Sequence, residues 1–209
     1  MAEDLIIHAP LGVSDAITAT RILAEVAGKQ GKQRVLDMGT GTGYIAIYLA
    51  KLGMKADATD ISDLALETAT SNASENNVHI NIYKSNYFEN VKSKFDLIVW
   101  NAPVGDSHGS KSFDFLKSMI RKIPILRKLV QKVTYKLYLE ERLNMDKIVL
   151  GKVSGFLESR GVLVMILIDG EKEELLPLAQ EAGFISEVID APEFRKSVPG
   201  CIALFTKKK

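Results

Sequence analysis

The stretch that most constrains this chain is residues 35–44, Val-Leu-Asp-Met-Gly-Thr-Gly-Thr-Gly-Tyr. A short apolar run, Val35 and Leu36, ends in an acid, Asp37, and glycines follow at alternate positions: Gly39, Gly41 and Gly43. Ile45, Ala46, Leu49 and Ala50 then repeat at helical spacing. The pattern predicts a buried strand that turns sharply into a helix. Glycine is needed where the backbone takes unusual angles or lets a ligand come close. The first N–H groups of the new helix point at whatever sits on that turn. The dinucleotide fingerprint G-x-G-x-x-G would need a glycine at position 44, where this chain has Tyr44. The plain alternative is a tight turn that binds nothing.

Composition bounds the rest. The 209 residues suffice for one α/β domain with a sizeable core. At 46% hydrophobic and 25% charged, the chain is typical of globular proteins. A net charge of +1 creates no global demand for nucleic acid. The longest apolar run, residues 162–168, is far too short to span a membrane. The opening Met-Ala-Glu-Asp-Leu does not read as a secretory signal. The single cysteine, Cys201, has no partner for an internal disulfide and is expected in the core, which fits a reducing, cytoplasmic home. No metal site is expected.

In chain order, Ser14 is the expected N-cap of a helix ending at Gly28, with Ile17, Leu23 and Val26 inward. After the Gly-rich turn, residues 55–60 read as a second strand ending in Asp60. An acid about twenty residues beyond such a turn suits a ribose, because a carboxylate accepts two hydrogen bonds from a vicinal diol. The other reading of Asp60 is a helix N-cap, which Ser62 or Asp63 can also supply. Residues 63–76 predict a helix with Leu64, Leu66, Ala69 and Ala73 on one face, and 79–84 a third strand. Ser85-Asn86-Tyr87-Phe88 follows at that strand's C-terminal end, where open α/β sheets bind ligands. There Asn86 can read an adenine amino group and Tyr87 or Phe88 can cover its face, or the two aromatics are simply core.

The fourth strand, 95–100, runs into Asn101-Ala102-Pro103-Val104 and a loop carrying His108, more readily a solvent-exposed residue than a catalytic one. Residues 113–144 are helical by pattern with a break at Pro124, and Leu126, Leu129, Val130, Val133 and Leu137 line the second piece. Between positions 111 and 136 eight basic residues face one acid, Asp114, and Lys128, Lys132 and Lys136 share a face. That face is either solvated or a cover that attracts a polyanion or an acidic surface. A helix over 146–159, a fifth strand from Gly161, a helix over 171–182 and strands 184–190 and 201–206 complete the order. The short link at 192–200 implies an antiparallel final pair. The expected fold is α/β: a Rossmann-like, mostly parallel sheet of seven strands, helices on both faces and an antiparallel last strand.

The D-x-G-x-G-x-G turn and this strand order resemble class I S-adenosylmethionine (SAM) methyltransferases. Residues 35–50, 60–78, Ser85-Asn86-Tyr87-Phe88 and 95–103 are similar to release-factor glutamine methyltransferases of the HemK type. The resemblance implies SAM as cofactor, held by Asp37, Gly39, Thr40, Gly41, Gly43, Asp60, Ile61, Asn86 and Tyr87. In those enzymes, and in adenine-N6 and some guanine-N2 methyltransferases, the fourth strand ends in Asn-Pro-Pro-Tyr. There the Asn side-chain oxygen and the next backbone carbonyl take both N–H bonds of a planar nitrogen and free its lone pair. The catalytic positions implied here are Asn101, Ala102 and Pro103, with Ala102 in place of a proline and Val104 in place of the stacking aromatic. Phe113, Phe115 or Tyr87 can supply that face instead.

The implied function is N-methylation of an amide or amino group, with a protein, RNA or small-molecule acceptor. The alternatives are a small-molecule enzyme with a helical lid and a SAM-binding scaffold. The whole chain, 1–209, reads as one methyltransferase domain with a helical substrate or partner insertion at 107–145. Its basic helix, 113–143, is the candidate surface for an acidic or nucleic-acid partner.

Overall fold

A computed structural model describes residues 5–13, 18–102, 124–190, 192–197 and 199–208. The expectations for Ser14, Ile17, Pro103, Val104, His108, Phe113, Phe115 and the first part of the 107–145 segment, 107–123, lie outside the described residues, and those for Leu126, Lys128, Leu129, Val130, Lys132 and Val133 lie outside the described side chains. The elements are α1 (Thr18–Gly28), β1 (Arg34–Met38), α2 (Tyr44–Lys51), β2 (Lys55–Asp60), α3 (Asp63–Glu75), β3 (Asn81–Lys84) and β4 (Phe95–Trp100). They continue with α4 (Pro124–Val153), β5 (Leu157–Ile168), α5 (Lys172–Glu181), β6 (Phe184–Ile189), α6 (Pro192–Ser197) and β7 (Gly200–Lys207).

The strands form one sheet in the order β3-β2-β1-β4-β5-β7-β6. The first five in that order pair in parallel, and β7 runs antiparallel to both β5 and β6. The final pair is antiparallel as expected, although its link holds the short helix α6. Central strands are buried on both faces, so their side chains alternate between two cores. Val35, Leu97, Val99, Val162 and Val164 pack with Leu23, Ala24, Ile45 and Ile47 on one side. Leu36, Ile98, Leu163 and Met165 pack with Val149, Leu150 and Val153 on the other. Cys201 is buried in this second core.

Three local expectations change. First, α3 buries Ala65, Thr68, Ala69, Asn72 and Ala73, while Leu64 is exposed. The cause is proximity to the Gly-rich turn: a Cβ on Gly43 would lie 3.0 Å from the Ala69 Cβ, so only small side chains fit between them. Second, α4 is continuous to Val153 instead of dividing near residue 145. Its inward residues Arg142, Asp146, Val149, Leu150 and Val153 recur at three- and four-residue steps, and Leu137 falls off that stripe and is exposed. Third, β5 begins at Leu157, opposite Phe95, and its register shifts before Val162 pairs with Leu97. Arg160, at φ 62°, sits in that irregularity.

The N-terminal segment is clasped by α3. Asn76 exchanges two hydrogen bonds with the backbone of Ile6 (3.1 and 2.7 Å), and Asn72 does the same with His8 (3.0 and 3.0 Å). Two asparagines one helical turn apart match backbone groups two residues apart on an extended chain. Asn72 also donates to the Thr42 carbonyl at 2.8 Å, so the same side chain braces the Gly-rich turn.

Gly43→Ala tests how tight that packing is. Gly43 has φ 83°, a left-handed angle that penalises a side chain, and the new methyl meets Ala69. The combined cost is about 2–4 kcal/mol. Thermal melting should show a Tm lower by roughly 5–15 °C for a chain of this size, and an unchanged Tm would refute the close approach of α3.

Candidate active site

The chain runs from β1 outward to β2 and β3, then returns to β4 beside β1. Ligands in open α/β sheets bind beyond the C-terminal ends of the strands at such a reversal. Met38 pairs with Trp100, so the Gly-rich turn and Asn101 leave the sheet side by side.

Asp37 is 1% exposed and organises the turn. Its Oδ2 accepts from the Thr40 hydroxyl at 2.6 Å and from the Ala46 N–H at 3.1 Å. The second bond caps α2, whose N-cap residue, Gly43, has no side chain to do so. Burial pushes the Asp37 carboxyl up to about 6, against the pull of those two hydrogen bonds. Gly39, Gly41 and Gly43 all have positive φ. The N–H groups of Gly39 and Thr40 both donate to the Thr59 carbonyl (2.8 and 2.9 Å), which folds the turn onto the end of β2.

Asp60 stands at that end. Its Oδ2 accepts from the Gly41 N–H at 3.0 Å and its Oδ1 from the Ser62 N–H at 2.9 Å. Ser62, whose hydroxyl accepts from the Ala65 N–H, is the N-cap of α3, so Asp60 is not needed for capping. A carboxylate has about four acceptor positions, and these two bonds leave capacity for a diol. Ile61 next to it is 61% exposed, an apolar surface of the kind a purine covers. The Asp60 carbonyl accepts from the Ser85 N–H at 3.0 Å, bringing Asn86 and Tyr87 to the same edge. Asn86 is exposed and its amide donates to Glu89 at 3.0 Å. Tyr87 is half-buried at φ 48° with its ring 5.9 Å from Trp100, whereas Phe88 is core, stacked on Phe156 at 4.4 Å. These residues have the acceptors and apolar faces that SAM requires.

At the end of β4 the Asn101 amide nitrogen donates to the Thr20 hydroxyl of α1 at 3.2 Å. The amide oxygen is the end not used by Thr20. The Ala102 carbonyl accepts from Arg142 Nη1 at 3.1 Å, and Arg142, on α4, is itself buried. Thr20 and Arg142 were not evident as site residues from the sequence. Thr20 carries no signal beyond a polar residue early in a helix, whereas Arg142 and Asp146 are charges standing on an otherwise apolar stripe. Of the basic face, Lys136 is exposed and lies 3.8 Å from Glu140. Among the described residues no cluster of His, Cys, Asp and Glu is placed to hold a metal, and no helix is long and apolar enough to cross a membrane.

Comparison with known proteins bears on the family and the fold. Residues 14–166 match the methyltransferase small domain. A protein of Methanocaldococcus jannaschii provisionally named as a protein N5-glutamine methyltransferase is 42% identical over 90 residues, 43% of this chain and 44% of that one. The ribosomal RNA small subunit methyltransferase C of Haemophilus influenzae is 37% identical over 109 residues, 50% of this chain and 33% of that one. The matched segment thus spans less than half the length of either relative. A solved methyltransferase from Pyrococcus furiosus shares the fold, with a TM-score of 0.68 over 98% of this chain and 90% of that one at 18% identity. The chain belongs to the methyltransferase small domain family. Its fold is that of a Rossmann-like, SAM-dependent methyltransferase.

The raised Asp37 carboxyl has a stability consequence. An acid whose folded value lies above its unfolded one stabilises the fold below the unfolded value and loses that contribution as pH rises through the folded one. For Asp37 the window runs from the ordinary 3.8 to about 6. Asp37→Asn should therefore gain on the wild type by roughly 3 kcal/mol as pH rises through that window. Melting curves of both proteins at several pH values check this; a constant difference would refute it.

Proposed function

We propose that this chain is a SAM-dependent N-methyltransferase acting on a planar amide or amino nitrogen, in a protein glutamine or a nucleobase. The observation that carries the reading is the pair of acceptors beside the Gly-rich turn. The Asn101 amide is oriented by Thr20, and the Ala102 carbonyl is fixed by Arg142. Such a nitrogen is a poor nucleophile because its lone pair is delocalised. Two acceptors that take both of its N–H bonds hold it in place and draw it toward a shape that frees the lone pair. Pro103 restricts Ala102 to extended angles, which keeps that carbonyl's direction narrow.

In this reading Gly39, Thr40, Gly41 and Gly43 pass under the methionine part of SAM, with Asp37 holding the turn in shape. Asp60 accepts from the ribose hydroxyls, and Ile61, Asn86 and Tyr87 border the adenine. When bound there, SAM would supply a methyl on a positive sulfur, the acceptor nitrogen's electron pair would form the C–N bond while the S–C pair stayed on sulfur, and the nitrogen would later release a proton to water. The chain's own residues need only orient the acceptor and exclude alternatives, so no strong general base is required. The segment at 107–145 is assigned as the part that meets the acceptor, and its basic helix as the contact for an acidic or nucleic-acid partner. The names of the similar proteins, one for protein glutamine and one for ribosomal RNA, support a macromolecular acceptor and not one particular acceptor.

Methyl-labelled SAM incubated with cell extract, then separated into protein, nucleic-acid and low-mass pools, tests this directly. Label should enter a macromolecular pool. Asn101→Ala should cut transfer by about 100-fold, on the scale of removing one preorganised hydrogen-bonding group, with SAM affinity kept. Label confined to the low-mass pool, or full activity in the variant, would refute the assignment.

A further inference from the structure

A buried charge cluster lies directly behind the Ala102 carbonyl. Arg142 and Asp146 of α4 and Glu171, just before α5, have side chains 1%, 0% and 4% exposed. Arg142 spends Nη1 on the Ala102 carbonyl at 3.1 Å and Nη2 on the Ile166 carbonyl of β5 at 2.8 Å. Glu171 accepts from the Ile168 N–H at 2.7 Å, and Asp146 accepts from the Trp100 indole at 2.6 Å. The remaining buried polar atoms, Arg142 Nε, Glu171 Oε1 and Asp146 Oδ2, make no well-aligned hydrogen bond. They nevertheless face one another, with Nε 3.2 Å from Glu171 and 4.0 Å from Asp146.

This arrangement is more elaborate than stability requires. Burying three charges costs more than it returns unless each is well paired, and apolar residues of similar volume are often as stable. What the cluster does achieve is geometric. A planar guanidinium with a fixed fork of donors ties the Ala102 carbonyl to the end of β5 and to α4. Trp100, which carries the indole bond, also packs against the turn: a Cβ on Gly39 would lie 3.3 Å from its ring. Cofactor turn, acceptor loop and long helix therefore meet in one polar contact set.

We propose that Arg142 is a positioning residue for methyl transfer, fixing the Ala102 carbonyl as an acceptor for the substrate N–H, with Asp146 and Glu171 neutralising the guanidinium behind it. The proposal rests on the acceptor reading of Asn101 and Ala102. A bare guanidinium on that carbonyl would repel a nitrogen that becomes positive as it is methylated. Two carboxylates reverse the sign: one cation against two anions leaves the cluster negative when both acids are ionised and neutral when one holds a proton.

Burial pushes Asp146 up to about 7, with Arg142 lowering it, Glu171 raising it further and the Trp100 indole lowering it. Burial raises Glu171 as well. The groups facing Asp146 are thus Arg142 on its own helix, Glu171, the Trp100 indole and the Tyr87 hydroxyl, which feels the Asp146 charge. Transfer should rise with pH as Asp146 ionises near neutrality.

Trp100 is the single tryptophan of the chain, so its indole N–H signal reports the cluster without any activity assay. In wild-type protein the indole NMR signal should titrate with a midpoint near 7. Glu171→Gln removes one negative neighbour, so it should lower both that midpoint and the low-pH limb of the transfer rate. Arg142→Lys, which cannot reproduce the fork, should slow transfer at least tenfold, with SAM affinity within twofold of wild type. Transfer is measured from methyl-labelled SAM to whichever extract pool the wild type labels.

Undiminished transfer by Arg142→Lys overturns the positioning role. Equal losses of transfer and SAM affinity also overturn it, since they mark a structural role. Should Arg142→Lys not fold, Glu171→Gln decides: an indole midpoint that moves while the rate profile stays put overturns the proposal. A wild type that labels no macromolecule while its indole still titrates refutes the acceptor reading instead, and the positioning role with it.

Discussion

A single oxygen, Oδ2 of Asp37, fixes where β1 stops being a strand and α2 begins. It takes the hydroxyl of Thr40 and the N–H of Ala46 together, so the turn between them has little freedom. The rest of the turn and the end of β2 follow from that closure. The turn folds back on Thr59, which sets the height of Asp60, and Asp60 returns a bond to Gly41. Asn72 then braces the turn from α3 through the Thr42 carbonyl. Each of these contacts uses a backbone group that the glycines leave unencumbered. The acid is costly to keep in a core, as its upward-shifted carboxyl shows. Its compensation is structural: the side chain supplies the cap that Gly43 cannot.

The end of β4 is built on the same physical idea with different parts. β4 delivers Asn101 and Ala102 next to the turn because β1 and β4 are neighbours in register. Neither residue can orient itself. Thr20 turns the amide, and Arg142 turns the carbonyl. The two supports come from different helices: α1 packs with the first core, and α4 reaches both, its end packing with the second. The end of β4 is therefore held by two separate elements. A substitution in either helix can reach the site without touching a ligand.

Much of this was legible in the chain. The D-x-G-x-G-x-G turn, the acid closing β2 and the two-sided apolar strands all follow from local rules, because they concern residues close in sequence or buried on both faces. What escaped was whatever depends on the partner across a gap. Leu64 reads as a core residue by spacing, yet α3 lies so near Gly43 that only alanines, Thr68 and Asn72 face inward. Asn76 reads as a helix stop and is in fact also half of a clasp on Ile6, seventy positions away. Periodicity misplaced the break in α4 because Arg142 and Asp146 interrupt its apolar stripe. A window that counts only hydrophobic residues sees an end there, whereas the helix runs on to Val153.

That interruption carries the argument about α4 further. A helix that is held to a sheet only by apolar contacts can slide or roll with small loss, since such contacts are non-directional. Directional bonds are different: the Arg142 fork reaches one carbonyl on β5 and one just beyond β4, and Asp146 meets an indole nitrogen at 2.6 Å. Moving α4 by even an ångström would break them and leave buried charge unpaired. The polar cluster thus specifies one position for the helix, where hydrophobic packing alone would accept several. The residues before Lys136 on the same helix extend away from this anchor, so whatever they contact is referred to the acceptor loop through a rigid rod.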